Sequence, residues 1–404
     1  MIHKLKKIQF RILPILFLLF LCACSAGEEN TVPAEVSELE NMTTIPADIQ
    51  PTHDITIQKE KVFGDFERNT GAMGGIRDIA VDDSGRVFIS DTQQKTIHMF
   101  SPDGQFIQNI GRSGSGPGEF RHIFPMKIQG DKLFAFDPTF YRLNFYSLES
   151  LTFDHVEELF FQDWSDIENI KKASPVKFYD WSNNNLLIGF DQVRGDNIYY
   201  YVVNNSGHRT EIISGPILVQ KDEKQMEIDI VYLNGMEGSY EFPFGRESLI
   251  AVSEDRHIFT AWTEHFLIKE YNPEGTYLRA WYYPYKNLPL TQNELDSYAA
   301  SRGDFEPIIQ EAYTKNELPA TRPALKDIRI DDQNRLWVST VVKDLSVTEW
   351  WILEMDGTLL GRFTWPKQKQ IEAIKNSCLY TKETDRETGI QEVVRYRVKM
   401  KKQY

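Results

Sequence analysis

Two charged pairs occupy the same place in two copies of a repeated segment. Arg77-Asp78 begins the copy at residues 76–91, and Lys326-Asp327 begins the copy at residues 325–340. His122 lies near the equivalent place in the next unit of the chain. Carboxylates and an imidazole brought together could bind a metal ion, whereas the two cations would suit a polar ligand. The sequence therefore offers five candidate ligand-binding residues, Arg77, Asp78, His122, Lys326 and Asp327.

The repeated segment has the pattern of four short strands. Ile79 and Val81 alternate with polar residues, and an apolar run follows the turn Asp82-Asp83-Ser84-Gly85. Two further strands, at 96–100 and 105–110, flank a turn that contains Pro and Gly. Asp, Pro and Gly supply the backbone conformations that such turns need, so we interpret one unit as four antiparallel strands.

Six such units follow one another along the chain. Besides the two copies above, the framework recurs at residues 133–146, 186–207, 251–279 and 371–398. The last unit has only three strands, and the segment Ile55–Phe63 has no partner of its own. We therefore predict an all-β fold, a six-bladed β-propeller of four-stranded antiparallel blades in which this N-terminal strand closes the last blade.

A small helical insertion is predicted between blades 4 and 5, at about residues 287–322. Thr291-Gln292-Asn293-Glu294 fits a capping box, and apolar residues at helical spacing follow it. Asp304 is placed to cap a second helix. We expect a helical flap beside the channel mouth, and packing on the outer rim is the alternative.

The chain begins with the pattern of a secretory signal at residues 1–23. Four cations precede the apolar run Ile12–Leu21, which is too short to span a bilayer. Residues 24–54 are polar, acidic and spaced by Pro, so we predict a flexible tether, with the propeller at residues 55–404. Removing the four cations would take the formal net charge from −14 to −18. Such a surface repels nucleic acid, which we exclude as a partner.

The two faces of the predicted ring differ in loop length. Turns between strands one and two, and between strands three and four, are minimal and define the short-turn face. Connections between blades define the long-loop face, and they include 111–121, 156–175, 214–247 and 284–323. Long loops on a rigid scaffold commonly carry function, so we expect the deepest pocket and the functional site on the long-loop face.

Catalytic signals are weak throughout the chain. The eight His residues show no paired metal-ligand spacing, and the Asp82–Gly85 turn lacks the pattern of a calcium loop. Gly111–Gly118 lacks a phosphate-loop ending, so we interpret it as a connector. Asp91 and Asp137 end second strands and are expected to bind turn amides. Catalytic residues stay unknown, and we assign no metal ion and no cofactor.

Family resemblances add to this interpretation. Residues 75–120, with Ile79-Ala80-Val81-Asp82 and Gly114-Ser115-Gly116-Pro117-Gly118, resemble an NHL repeat, and Leu21-Cys22-Ala23-Cys24 resembles a bacterial lipobox. The whole is similar to six-bladed propeller lipoproteins of Bacteroidetes-type bacteria. The resemblance implies lipidation of Cys24, a place in the cell envelope and contact with an envelope protein, peptide or glycan. By the same resemblance, Ser25 after the lipidated cysteine favours the outer membrane.

Two functional hypotheses remain open. The first is a non-catalytic binding or scaffolding propeller that presents its long-loop face and touches the membrane only through its lipid. The second is a metal-dependent hydrolase or lyase, similar to gluconolactonase-like and NHL-like enzymes, with His122, Asp78, Asp327 or Asp91 as candidate ligands at the channel mouth. The sequence specifies neither the ligand nor the oligomeric state.

Overall fold

Six four-stranded antiparallel sheets form the blades of a propeller in the computed structural model. The structure describes residues 32–64, 73–159, 167–171, 173–181, 185–192, 197–204, 211–221, 227–231, 237–242, 244–385 and 387–403. The signal segment, Cys24 and Ser25 lie outside these described residues. No helix in these ranges has the length and apolar character needed to cross a membrane.

The N-terminal segment contributes a short helix and two strands before the first blade. They are α1 (Ala34–Ser37), β1 (Met42–Thr44) and β2 (His53–Phe63). Blade 1 contains β3 (Ile76–Val81), β4 (Val87–Asp91), β5 (Thr96–Phe100) and β6 (Phe106–Ile110). The loop after it holds the parallel pair β7 (Arg112–Ser113) and β8 (Glu119–Phe120).

Blades 2 and 3 follow the same order from the channel to the rim. Blade 2 contains β9 (Met126–Gln129), β10 (Lys132–Asp137), β11 (Arg142–Ser147) and β12 (Phe153–Glu158). Blade 3 contains β13 (Ala173–Asp180), β14 (Asn185–Gln192), β15 (Asn197–Asn204) and β16 (Glu211–Lys221). The strand β16 takes up part of the segment predicted as a loop from residue 214. A separate hairpin then follows, β17 (Glu227–Val231) and β18 (Glu237–Glu241).

Blades 4 and 5 flank the helical insertion. Blade 4 contains β19 (Ser248–Val252), β20 (Ile258–Trp262), β21 (Leu267–Tyr271) and β22 (Tyr277–Tyr282). The insertion holds α2 (Gln292–Ala300), a 3₁₀ turn (Gly303–Phe305) and α3 (Glu306–Lys315). Blade 5 contains β23 (Leu325–Ile330), β24 (Leu336–Thr340), β25 (Val347–Leu353) and β26 (Leu359–Pro366).

Blade 6 joins the two ends of the described chain. It contains β27 (Gln370–Lys375), β28 (Cys378–Thr384) and β29 (Gln391–Lys402), and β2 is its outermost strand. The register between β2 and β29 runs from His53 opposite Lys402 to Phe63 opposite Val393. The predicted closure of the last blade by an N-terminal strand is confirmed.

Hydrophobic cores form where neighbouring blades face each other. Phe134 and Phe136 of blade 2 pack with Phe178 and Phe190 of blade 3 in one such core. Trp337 is 1% exposed, as expected for its place in a core strand. Burial of one large apolar side chain contributes about 1.5–3 kcal/mol, so these inter-blade layers hold the ring together.

The segment before β2 is an N-terminal belt, residues 33–52, rather than a flexible tether. Val36 is fully buried against Leu267, Ala280 and Tyr282 of blade 4, and β1 pairs in parallel with β22. Ile45 is 3% exposed and joins the core between blades 4 and 5. The prediction of a flexible tether to residue 54 is therefore wrong for the belt, because its few apolar residues bury against the rim.

The helical insertion was predicted correctly in place and in its first helix. The backbone N–H of Thr291 donates to the Glu294 carboxylate at 3.0 Å, which confirms the capping box. Leu295 and Ala299 are buried in a cluster that also contains Phe242. Asp304 does not cap α3, because it lies inside the 3₁₀ turn and Phe305 is the N-cap residue.

Candidate functional site

Asp78 lies at the long-loop end of the innermost strand of blade 1, where it is buried. Its carboxylate accepts hydrogen bonds from the backbone N–H groups of Ile79, at 3.0 Å, and Met126, at 2.8 Å. Met126 begins the innermost strand of blade 2. A carboxylate that receives two amide donors is satisfied by the protein, so Asp78 fastens blade 1 to blade 2.

Arg77 and His122 are exposed on the same part of the long-loop face. The Arg77 guanidinium lies over the ring of Phe124 at 4.2 Å from the ring centroid. Phe124 follows His122 by two residues, so the three side chains belong to one small surface between blades 1 and 2. A cation over an aromatic face is attracted by about 0.5–1 kcal/mol at exposed sites, which holds the Arg77 side chain in place.

Lys326 and Asp327 lie across the ring, at the long-loop end of blade 5. The Lys326 ammonium is 3.0 Å from the Glu247 carboxylate, and both side chains are largely exposed. The Asp327 carboxylate accepts a hydrogen bond from Nε of Arg329 at 2.8 Å. The sequence-predicted residues thus divide into two groups, one beside blades 1 and 2 and the other at blade 5.

Arg329 is the residue that connects these groups, and the sequence did not single it out. Its Nη1 donates to the backbone oxygen of Glu372 in blade 6 at 2.6 Å. Burial alone would lower the pKa of this guanidinium, but the charges of Asp327, Glu372 and Asp78 raise it. Arg329 aligns with Ala80 of the blade 1 repeat. The replacement of a small residue by a cation at this aligned position is the sequence signal that could have identified Arg329.

Glu372 is the second residue that sequence reasoning missed. Burial raises the pKa of its carboxyl group, while Arg329 and Lys382 oppose that change and Asp78 and Asp327 add to it. The charges of three carboxylates therefore act on Arg329, and Asp327 contacts it directly. A raised pKa favours the protonated form of Glu372, in which it can donate a hydrogen bond.

A cavity of about 320 Å³ opens between blades 5 and 6 beside these residues. Its charged lining consists of two acids and four cations, namely Asp327, Glu372, Lys326, Arg329, Lys367 and Lys369. The wall includes two largely buried indole rings, Trp350 and Trp365. A concave site with aromatic walls and a few convergent polar groups is the usual form of a ligand pocket.

The largest cavity that we measured among the described residues lies on the opposite face. It has a volume of about 640 Å³ and is lined by Asp83, Tyr179, Asp180, Glu254 and Lys375, among others, which come from four blades. Asp83 and Glu254 belong to strand one to two turns, so this is the short-turn mouth of the channel. The expectation that the deepest pocket lies on the long-loop face is wrong for the described cavities, because the short turns leave the channel end open.

Asp91 and Asp137, two other acids at repeated positions, form hydrogen bonds with backbone amides. The Asp91 carboxylate accepts from the amides of Gln93 and Gln94, and Asp137 accepts from those of Arg121 and Thr139. Both predictions of a structural role are confirmed. Burial raises the pKa of the Cys378 thiol, which is 1% exposed.

The Gly-rich segment after blade 1 is held by a cation rather than shaped to hold an anion. The Arg142 guanidinium donates to the backbone oxygens of Ser115, Gly116 and Glu119 at 2.8–3.0 Å. Its carbonyl oxygens therefore point to Arg142, which supports the interpretation as a connector. Within the described ranges, no three His, Cys, Asp or Glu side chains are grouped so that they could hold a metal ion.

Comparisons with known proteins support the fold. A family model described as "6-bladed beta-propeller" matches residues 69–244, which contain blades 1 to 3. No curated protein matches the sequence significantly. The chain is therefore a six-bladed β-propeller with structural neighbours in Bacteroides.

Three solved structures illustrate the likeness. A member of the DUF4221 family from Bacteroides vulgatus has a TM-score of 0.54 at 9% identity, over 87% of this chain and 100% of that one. A protein of unknown function from Bacteroides thetaiotaomicron has a TM-score of 0.46 at 10% identity, over 86% of this chain and 77% of that one. Virginiamycin B lyase from Staphylococcus aureus has a TM-score of 0.37 at 10% identity, over 85% and 99%. At such identities the likeness shows the fold alone.

Proposed function

We propose that this protein is a lipid-anchored binding propeller of the cell envelope, with no catalytic activity of its own. Its ligand is an envelope protein, peptide or glycan that contacts the long-loop face. The supporting observation is the cavity between blades 5 and 6, which is lined by two indole rings, the carboxyl groups of Asp327 and Glu372, and cationic side chains that include Lys326 and Arg329. The NHL-like repeat of blade 1 fits a scaffold of this kind.

The state of the candidate residues favours binding over metal-dependent chemistry. Asp78 receives two amide donors, Asp327 pairs with Arg329, and Asp91 receives two amide donors. A carboxylate that ligates a metal ion must offer its oxygens to the metal. Asp78 would first have to give up its bond from Met126, which joins blades 1 and 2, Asp327 its bond from Arg329, and Oδ1 of Asp91 its two turn amides.

The proposed anchor is a lipid on Cys24, at the end of the signal segment. The belt begins at residue 33, so eight residues lie between Cys24 and the belt, and the nine Cα–Cα steps reach about 30 Å when fully extended. The propeller would therefore stay within that distance of its membrane, which we propose is the outer membrane. Domain limits of 1–23 for the signal and 55–404 for the propeller belong to the same proposal, with the belt added to the folded part.

Site-specific photo-crosslinking in cells tests the binding face. A photo-reactive amino acid replaces Lys326 on the long-loop face, and a matched variant carries it at Asp103 in a short turn of blade 1. We expect specific crosslinked products from the Lys326 position only. Equal products from both positions, or products from Asp103 alone, would contradict the choice of face.

Two further measurements test the anchor and the absence of catalysis. Mass spectrometry of the mature N-terminus should show a diacylated or triacylated Cys24, and Cys24→Ser should release the protein from membranes. Metal analysis of the purified protein separates the binding propeller from a metal-dependent hydrolase or lyase. One tightly held divalent ion per chain, lost in Asp327→Asn, would favour the enzyme.

A further inference from the structure

The short-turn mouth already holds one cationic group, which comes from the chain itself. The Lys375 ammonium lies 2.8 Å from the Asp83 carboxylate of blade 1 and 3.7 Å from the Glu254 carboxylate of blade 4. Burial alone would lower the pKa of this ammonium, but the hydrogen bond that it donates to Asp83 and the charges of Asp83 and Glu254 raise it. The side chain of Lys375 thus shows that the short-turn mouth can bind an ammonium group on an alkyl chain.

The two carboxylates are not needed by the fold. The Asp83 side chain is 96% exposed and that of Glu254 is 66% exposed. The neighbouring Asp82 builds the turn instead, because its carboxylate accepts from the backbone N–H of Arg86 at 2.8 Å and from the Ser84 hydroxyl at 2.7 Å. Asp83 and Glu254 are therefore available to another cation that displaces Lys375.

The cavity below Lys375 combines apolar walls with more negative than positive charge. Val81, Ile128, Leu148 and Val252 line the walls of this space of about 640 Å³. Asp180 adds a third carboxyl group, and burial raises its pKa against the opposing hydrogen bonds from Gln129 and Trp181 and the charge of Arg256. Arg86 is committed to Asp82. The formal net charge of −14 adds a field that draws cations to the mouth.

We infer that the short-turn mouth is a binding site for an alkylammonium group, and that Lys375 is its built-in competitor. Apolar walls suit a methylene chain, and Asp83 and Glu254 suit the ammonium at its end. A lysine side chain of a peptide and a free aliphatic polyamine share this chemistry. The site is separate from the proposed long-loop site, so either proposal can fail without the other.

Calorimetric titration of the mature chain at low salt tests the site. The titrants are 1,5-diaminopentane and acetyl-Lys-Lys-amide, with succinate as an anionic control. Lys375→Met should raise the affinity for the diamine about twofold to fivefold, the effect of removing a partly exposed ion pair from competition. Asp83→Asn with Glu254→Gln should abolish binding of both amines. Tighter binding of the peptide than of the diamine would identify a peptide as the source, and the reverse order would identify a polyamine.

Lys382→Met is the matched control, since Lys382 lies at the other end of the channel near Glu372. It should leave amine binding unchanged. Amine affinity that is the same in Lys375→Met and in the wild type would overturn the inference, and so would succinate binding that exceeds amine binding. If Lys375→Met fails to fold, the double variant decides, because its two exposed side chains can change without loss of the fold. Amine binding that survives in the double variant would then refute the site.

Discussion

The two mouths of the channel use the same residue types for different purposes. At the long-loop mouth, Asp78 and Asp327 are bound by amides and by Arg329. At the short-turn mouth, the first acid of a turn is bound within the turn, as Asp82 and Asp331 show. The second acid differs between blades, because Asp83 is 96% exposed whereas Asp332 accepts a hydrogen bond from the backbone N–H of Asn376. A carboxylate at a repeated position is therefore a poor guide to a site. Its place relative to the hydrogen bonds of the strand or turn decides whether it is available.

Asp331→Ala should cause the largest loss in the free energy of unfolding among the variants considered. The carboxylate has no exposed surface and accepts hydrogen bonds from Arg335 Nε at 2.7 Å and Trp337 Nε1 at 2.8 Å, besides two amides. Its loss leaves a buried cation and an indole N–H without partners, which should cost about 3–4 kcal/mol. Urea unfolding measures the loss, and Asp83→Ala is the matched control, expected within about 0.5 kcal/mol of wild type. Similar losses in both variants would break the distinction between the two acids.

Arg329→Met tests the centre of the channel. Three carboxylates, Asp78, Asp327 and Glu372, would lose the cation that they surround. We expect a loss of about 2 kcal/mol in the free energy of unfolding, less than for a fully buried pair because the Asp327 side chain keeps 34% exposure. Urea unfolding with Arg362→Met as a control measures it. A loss no greater than that of the control would show that Arg329 does not balance the acids.

Glu372→Gln should have a smaller effect that depends on pH. Burial raises the pKa of this carboxyl group in the folded chain above its unfolded value of about 4.3, so its stabilising contribution is present at low pH and is lost as pH rises through the folded pKa. Glutamine removes that loss and should increase stability at pH 7 by up to about 1 kcal/mol. Unfolding midpoints at pH 7 and pH 4 test this. A gain that is equal at both values would contradict the titration of Glu372.

Lys326→Ala should have the smallest effect on the free energy of unfolding. The variant therefore tests whether Lys326 contributes to ligand binding rather than to stability. Its ion pair with Glu247 is exposed on both sides and contributes about 0.2–0.5 kcal/mol. Thermal unfolding should change little, while crosslinking or affinity measured on the long-loop face should fall. A loss of stability with unchanged ligand capture would assign Lys326 to the scaffold.

The repeats made most of the fold predictable from the sequence. The rest of the fold depends on contacts between residues that are far apart in the chain. Turn chemistry such as Asp82–Gly85 recurs locally, so blade number, closure and the capping box could be predicted. The belt could not, because Val36 and Ile45 are isolated apolar residues whose partners lie more than 200 positions away. Arg329 and Glu372 could not be predicted for the same reason, because they belong to different blades and come together only in the closed ring.

The pairing of β2 with β29 also determines when the molecule can become complete. The first strand of the ring to be synthesised ends at Phe63, and its partner begins at Gln391, about 330 residues later. At about 5–20 residues per second, synthesis of the intervening chain takes roughly 15 to 65 s. During that time β2 lacks its partner strand, and an unpaired strand edge can pair with another chain. Once β2 and β29 have paired, neither of these two terminal strands can detach without also unpairing the other.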